Sequence, residues 1–281
     1  MTDAHHSLID RGFVRLAEGL IHYRMVGETK DQPPLIMLHA SPSSSRSLQG
    51  LAQFMAPHRQ VLLPDTPGNG ASCAPSQPEP TLVDYADMIA RFCDELGLDH
   101  VDLYGTHTGA HIAIEWAIAQ PLRVRRLILD GVALLSEANR LEFLRHYAPP
   151  KVPDAAGTQF AWAFNLIRDQ MIFWPHYRQD AAHMRQGGQF DPALLHGLTM
   201  DLLGALETYH QPYHAVFRHD PLARLPLIQT PTLWLQSRNS PLDANTERAI
   251  AVLRDVTVAH ADDLSAKAFA IYDFLNGGSQ A

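Results

Sequence analysis

A mostly parallel α/β sheet with helices on both faces is the fold class this sequence predicts, and three observations predict it. Strand-like and helical stretches alternate between residues 35 and 130 in the order β-α-β-α-β-α-β. The first strand of that series, Leu35-Ile36-Met37-Leu38, is an unbroken apolar run, as expected where both faces of a strand are buried. In Leu103-Tyr104-Gly105-Thr106-His107-Thr108-Gly109-Ala110 an apolar strand runs straight into a Gly-x-x-x-Gly turn and a helix, which places the turn apex at the carboxyl edge of the sheet. With 281 residues the chain can hold one large domain with an insertion.

Taken in order, residues 13–18 and 20–26 flank Gly19 with alternating polarity and read as an antiparallel hairpin on the sheet edge. After Pro33-Pro34 comes the apolar strand, which delivers His39-Ala40-Ser41-Pro42 at its carboxyl end. Residues 46–56 have helical spacing, and 60–64 form a short strand ending at Asp65 and a Gly/Pro-rich turn, Asp65 to Ser72. Thr81 caps a helix whose apolar positions Leu82, Tyr85, Met88, Ile89, Phe92 and Leu96 share one face, and Gly97 stops it. The strand 100–104 enters the elbow, the helix 110–120 leaves it, and the strand 124–129 ends at Asp130.

From about residue 134 to 217 the pattern changes to aromatic-rich helices with no convincing buried strand, which we read as an inserted helical cap. Residues 1–133 and 218–281 then form the core domain. Its α/β pattern resumes with a strand at 231–236, a helix near 247–253, a strand at 256–260 and a closing helix at 265–275.

Composition narrows the function classes. A formal net charge of -8 without any run of Lys or Arg argues against nucleic acid and anionic membrane surfaces as partners. Cys73 and Cys93 match no metal-ligand spacing and make no disulfide framework. The first eleven residues lack a basic segment followed by an apolar one, and no apolar run reaches membrane-spanning length. A cytoplasmic protein with a small-molecule substrate is expected, with homodimer formation left open. No phosphate loop or dinucleotide fingerprint occurs, so no cofactor is expected. A metal site is not expected either, because His107 and His111 stand on either side of the turn-to-helix junction rather than as a ligand pair on one helix.

The His39-Ala40-Ser41-Pro42 segment, the Asp65 to Ser72 turn, the Gly105 to Gly109 elbow and the 231–236 strand occur in the order and spacing of the α/β-hydrolase superfamily, which the chain resembles over nearly its full length. The resemblance implies a backbone oxyanion hole made by the amides of Ala40 and Thr108, each donor worth roughly 3 kcal/mol to an oxyanion. It implies a serine nucleophile at the elbow apex, where this chain has His107. It implies an acid after the later strand, where Ser240 stands with Asp243 three residues on. It also implies a histidine before the last helix, where the segment around His260 looks shortened.

Three readings of His107 therefore stay open. It is a general acid or base oriented by Asp130, a nucleophile acting through an acyl-imidazole, or a hydrogen-bonding pocket residue of a catalytically silent, ligand-binding relative. The first is preferred, with His107, Asp130 and His260 as catalytic candidates. His39, Ser41, Thr106, Trp162, Phe173, Trp174, His210 and Ser240 are the pocket candidates, although His39 has the plainer reading of a loop-fixing residue. The aromatic cap suggests an apolar or aromatic ligand with a few polar contacts.

Overall fold

The computed structural model describes residues 8–185, 191–238, 240, 242 and 246–277. Eight strands form one sheet, β1 (Asp10–Arg15), β2 (Leu20–Val26), β3 (Leu35–Leu38), β4 (Val61–Pro64), β5 (Val101–Thr106), β6 (Val124–Asp130), β7 (Thr232–Gln236) and β8 (Val256–His260). Their spatial order is β1-β2-β4-β3-β5-β6-β7-β8. Only the β1–β2 and β2–β4 pairs are antiparallel, and the remainder is parallel.

The first strand of the edge hairpin lies three residues earlier than its alternation suggests, whereas the second spans Leu20–Val26 as expected. Leu16 and Gly19 exchange backbone hydrogen bonds at 2.8 and 3.3 Å, so residues 16–19 close the turn and Arg15 pairs with Leu20.

Between the strands run α1 (Gln49–Met55), α2 (Leu82–Glu95) and α3 (Thr108–Ala119). The helical stretch after β6 contains α4 (Glu137–His146), α5 (Thr158–Ile172), α6 (Pro192–Gly204) and α7 (His210–Arg218). The chain then returns through α8 (Pro221–Arg224), α9 (Thr246–Ile250) and α10 (Leu264–Leu275). Among the described residues between β6 and β7, the only strand-like pairing is a single bridge between Phe173 and Met184. Thr81 caps α2 as the sequence predicts, with its hydroxyl accepting from the Asp84 amide while the Asp84 carboxylate accepts from the Thr81 amide.

The strand alternation divides the core into two layers. Ile36, Leu38, Leu103, Leu127, Leu129 and Trp234 pack into the larger layer, with residues of α2, α3 and α7. Leu35, Met37, Tyr104, Ile128, Leu233 and Leu235 pack into the smaller one, with α1 and α10. Period two thus fixes which polar side chains at the strand ends share a face. Tyr104 and Thr106 of β5 lie on the α10 side, and so does Asp130, which the register pairs with Thr106.

Where β5 passes into α3, the two glycines allow the crossing. A Cβ on Gly105 would lie 2.3 Å from the Gly109 carbonyl oxygen, and one on Gly109 would lie 2.2 Å from the Leu38 carbonyl oxygen of β3. No side chain fits at either position. Residues 108–117 are all buried, so α3 is a core helix wrapped on every side.

Candidate active site

His107 is the apex of the turn between β5 and α3. Its backbone, at φ 51° and ψ -115°, makes it the one non-glycine residue with positive φ among the described residues. Holding an ordinary side chain there costs on the order of 1–3 kcal/mol, a strain that packed surroundings must sustain. The His107 amide donates to the Asp130 carbonyl at 2.9 Å, and its carbonyl accepts from the Ala110 amide at 2.9 Å, so both sides of the turn are pinned.

The turn projects the imidazole into a cavity of about 320 Å³. Protein surrounds the ring, yet it remains open to the cavity and through it to water. Burial depresses its pKa below the usual histidine value; Asp130 opposes this shift, and the Lys267 and Arg185 cations add to it. The imidazole is therefore neutral at neutral pH. Nδ1 lies 2.9 Å from the Thr106 hydroxyl, while Nε2 has no protein hydrogen bond among the described residues.

Ala40, Ser41 and Thr108 line the same cavity. Thr108 is the first residue of α3, where a backbone N–H has no partner inside the helix. The loop carrying Ala40 is held from behind by His39, which is fully buried and lies outside the cavity lining. Its Nε2 accepts from the Thr66 amide at 2.9 Å, so its Nδ1 carries the proton donated to the Ala40 carbonyl at 2.8 Å. Burial keeps this ring neutral too. Asp65 organises the next turn, accepting from the Ser45 and Ala71 amides at 2.7 and 2.9 Å and pairing with His22. The Ser41 hydroxyl is buried without a hydrogen-bond partner.

The opposite wall is aromatic and aliphatic, with Phe143, Tyr147, Ile167, Trp174, Val216 and Phe217. Arg185 supplies a cation there, anchored by donation to the Gln170 carbonyl at 2.9 Å, and among the described residues no carboxylate lines the cavity. A second buried network lies behind His111. That ring accepts from the Ala133 amide through Nε2 at 3.1 Å, so its Nδ1–H donates to His219 Nδ1 at 2.9 Å, and His219 Nε2–H donates to Glu115 at 2.8 Å. Arg224 completes the pairing of Glu115.

Of the sequence candidates, His107, Thr108, Ala40, Ser41 and Trp174 meet in this cavity. Asp130 sits beneath the elbow, where its carboxylate accepts from Tyr104 and from Lys267, both at 2.5 Å, and it makes no side-chain hydrogen bond to His107. Thr106, the register partner of Asp130, has its hydroxyl 2.9 Å from the His107 Nδ1.

The other candidates lie elsewhere. His260 ends the edge strand β8 and is exposed, because the chain turns from it directly into α10 with no loop to carry it inward. Trp162 stacks edge-on against Tyr209 within the helical stretch, and Phe173 pairs with Met184. His210 faces Tyr209 and His214. Ser240 accepts from the Leu242 amide, and it is Leu242 that reaches the cavity. Asp243 lies outside the described residues.

The sequence reading missed Arg185, Gln170, Tyr147 and Phe143, whose convergence depends on how four helices fold over the sheet. It also missed Lys267 and Tyr104, although the alternation Tyr104–Thr106 carried a usable signal for the latter. Among the described residues no three His, Cys, Asp or Glu side chains converge as a metal-ligand set. No helix among them is long and apolar enough to cross a membrane.

A sequence profile of the alpha/beta hydrolase fold matches residues 33–253, which is most of the chain. The chain belongs to the α/β-hydrolase fold family. Among curated relatives, a "2-hydroxy-6-oxononadienedioate/2-hydroxy-6-oxononatrienedioate hydrolase 2" of Pseudomonas putida is 33% identical over 131 residues, covering 42% of this chain and 44% of the relative. A "proline iminopeptidase" of Heyndrickxia coagulans is 30% identical over 125 residues, covering 44% and 43%. The matched stretch is thus under half the length of these relatives. The α/β-hydrolase fold itself extends over most of the chain. The solved enol-lactonase from Burkholderia xenovorans LB400 superposes with a TM-score of 0.71 at 18% identity, covering 94% of this chain and 100% of that one.

Proposed function

We propose that this α/β-hydrolase-fold protein is an enzyme that cleaves a small ester or carbonyl compound bearing an anionic group, with His107 as general base where the family's hydrolases carry a nucleophile. The observation that carries this reading is the position of a neutral imidazole at the strained elbow, with an unbonded Nε2 in a mostly apolar cavity beside Ala40 and Thr108.

In the hydrolytic form, His107 Nε2 takes a proton from water as the oxygen attacks the substrate carbonyl carbon. The carbonyl oxygen becomes an oxyanion, which the amides of Ala40 and Thr108 stabilise. Collapse of the tetrahedral intermediate breaks the bond to the leaving group, and the imidazolium returns its proton to that group. The balance is one water consumed and one acid and one alcohol, or carbon acid, released. A leaving carbanion is tolerable only where an adjacent carbonyl delocalises it, which favours enolisable substrates for C–C cleavage.

Arg185 supports an anionic substrate, since it is a cation in the wall and none of the described lining residues is a carboxylate. The relatives named as hydrolases of oxo-dioic acids fit the same chemistry. The helical stretch between β6 and β7 acts as a cap that supplies the apolar wall. A silent, ligand-binding relative is the competing reading, and a panel of esters, lactones and carboxylate-bearing enolisable ketones separates the two. Under our reading at least one is turned over, and His107→Gln abolishes turnover while ligand-induced thermal stabilisation persists. Turnover that is unchanged in His107→Gln overturns the base assignment.

A further inference from the structure

We propose that the chain forms a two-fold dimer through β8, whose open edge pairs antiparallel with β8 of a second copy around Val258. The proposal is independent of the reading of His107 and gives a partner to a part of the sheet that the candidate active site does not use.

The two ends of the sheet offer different things to a further strand. β1 closes one end and carries Asp10, Arg11 and Arg15, charges of the kind that keep an edge from pairing. β8 closes the other end and reads Val256-Thr257-Val258-Ala259-His260, β-branched at Val256, Thr257 and Val258 and without Asp, Glu, Lys, Arg or Pro. Thr257, Val258 and His260 are exposed, and among the described residues no strand lies outside β8.

Backbone hydrogen bonds show which groups face outward. The Asp255 carbonyl accepts from the Thr232 amide at 3.0 Å and the Ala261 amide donates to the Gln236 carbonyl at 2.8 Å, so both point toward β7. Alternate residues of a strand turn their N–H and C=O groups to opposite sides. Val256, Val258 and His260 therefore direct theirs away from the sheet. With a two-fold axis at Val258, each Val258 faces its own copy and Val256 faces the partner's His260, both as hydrogen-bonded pairs. About six backbone hydrogen bonds then join the two sheets into one.

The side chains suit the same register. Val256 packs against the larger core layer while Ala259 and Ala261 pack against the smaller one, so Val256, Val258 and His260 share a face. Val258 then meets Val258 across the axis as a β-branched pair. Beyond the strand ends, Arg254 comes opposite the partner's Asp262, and the symmetry repeats this opposite-charge pair at the other end. Arg254 is exposed, and within the single chain Asp262 accepts from the exposed Arg238.

Sedimentation of the full wild-type chain should show a dimer that dissociates on dilution. Val258→Pro removes the N–H at the axis and no bond to β7, at a position where an edge strand tolerates proline. It should raise the dimer Kd at least about thirtyfold, since each copy loses a hydrogen bond. Val258→Lys keeps the backbone intact and sets like charges directly opposite each other, so it should weaken the dimer too, even where Val258→Pro fails to fold. Arg254→Glu should weaken it roughly tenfold, and adding Asp262→Lys should restore it.

Val258→Cys reads the register. Directly opposed positions lie about 5.5 Å apart between Cα atoms, within disulfide reach, whereas the two Thr257 positions stand diagonally, about 7–8 Å apart. Oxidised Val258→Cys should run as a covalent dimer on a non-reducing gel. Thr257→Cys and the wild-type chain, whose Cys73 is partly exposed, should not. A wild-type chain that is monomeric at every concentration overturns the proposal. So does a dimer that Val258→Pro, Val258→Lys and Arg254→Glu all leave unchanged, or a Val258→Cys chain that crosslinks no better than Thr257→Cys.

Discussion

Replacing Gly109 with alanine probes the crossing on which the site depends. The new Cβ would sit 2.2 Å from the Leu38 carbonyl oxygen, 2.6 Å from its carbonyl carbon and 2.9 Å from the His39 carbonyl oxygen. All three are backbone atoms, two of them in β3, which lies between β4 and β5 in the middle of the sheet, so no side-chain rotation relieves the overlap. Restoring ordinary contact requires the start of α3 to move away by about 1 Å. Overpacking against backbone belongs at the upper end of its range, so we expect a loss of roughly 3 kcal/mol. For a chain of this size that lowers Tm by roughly 6–12 °C. The same shift displaces the His107 ring and the Thr108 amide, and activity should fall about 100-fold. Calorimetric melting is the assay, with Gly204→Ala as the control. Gly204 ends α6 with nothing within 4 Å of its added Cβ, and alanine there should change stability by no more than about 0.5–1 kcal/mol, in the stabilising direction. A Gly109→Ala protein that melts at the wild-type temperature would refute the close crossing of β3 and α3.

Four further outcomes are expected. Because desolvation by the surrounding protein lowers the His107 pKa, the acid limb of kcat/KM should have its midpoint below about 6.5, the ordinary histidine value; a midpoint at or above it contradicts the neutral base. The same sign governs stability, since buried His39, His111 and His176 all have depressed pKa values. The unfolded chain binds more protons than the folded one below about pH 6.5, so stability is fully present above that pH. It is lost as pH falls toward the folded values, by up to roughly 1.4 kcal/mol per group per pH unit, and urea unfolding at pH 5 and 7.5 checks it. Arg185→Met should raise KM for anionic substrates about tenfold or more and leave their neutral analogues unaffected, as steady-state kinetics on matched acid and ester pairs would show. Finally, Asp102→Leu strands the buried Arg59 guanidinium and should cost roughly 3–5 kcal/mol in urea unfolding, with a substantial part recovered in the Arg59→Met, Asp102→Leu double variant.

Those residues also show what was legible in the sequence. The apolar run at Leu35–Leu38, the capped helix after Thr81 and the Gly105/Gly109 pair each follow from local rules, and they fix the sheet and the location of the elbow. His107 was visible for the same reason, since it stands at a position defined by two glycines. The sequence suggests Asp130 as the partner of His107, but its carboxylate accepts instead from Tyr104 and from Lys267 of the last helix. Contacts between an element and a helix 137 residues later leave no local trace. The cavity wall was the least legible part. Aromatic residues such as Trp162 and Phe173 look the same in sequence whether they pack within the helical stretch or face the ligand. Arg185 stands out only once Tyr147, Ile167 and Phe217 surround the same cavity.

The central claim is that a neutral His107 is the group that accepts the proton in catalysis. Single-turnover kinetics of His107→Gln against wild type, on the best substrate from the ester, lactone and ketone panel, tests it most directly. The account predicts a fall in the chemical step of about 10²–10⁴-fold with substrate affinity little changed. A chemical step of wild-type rate in His107→Gln would contradict it.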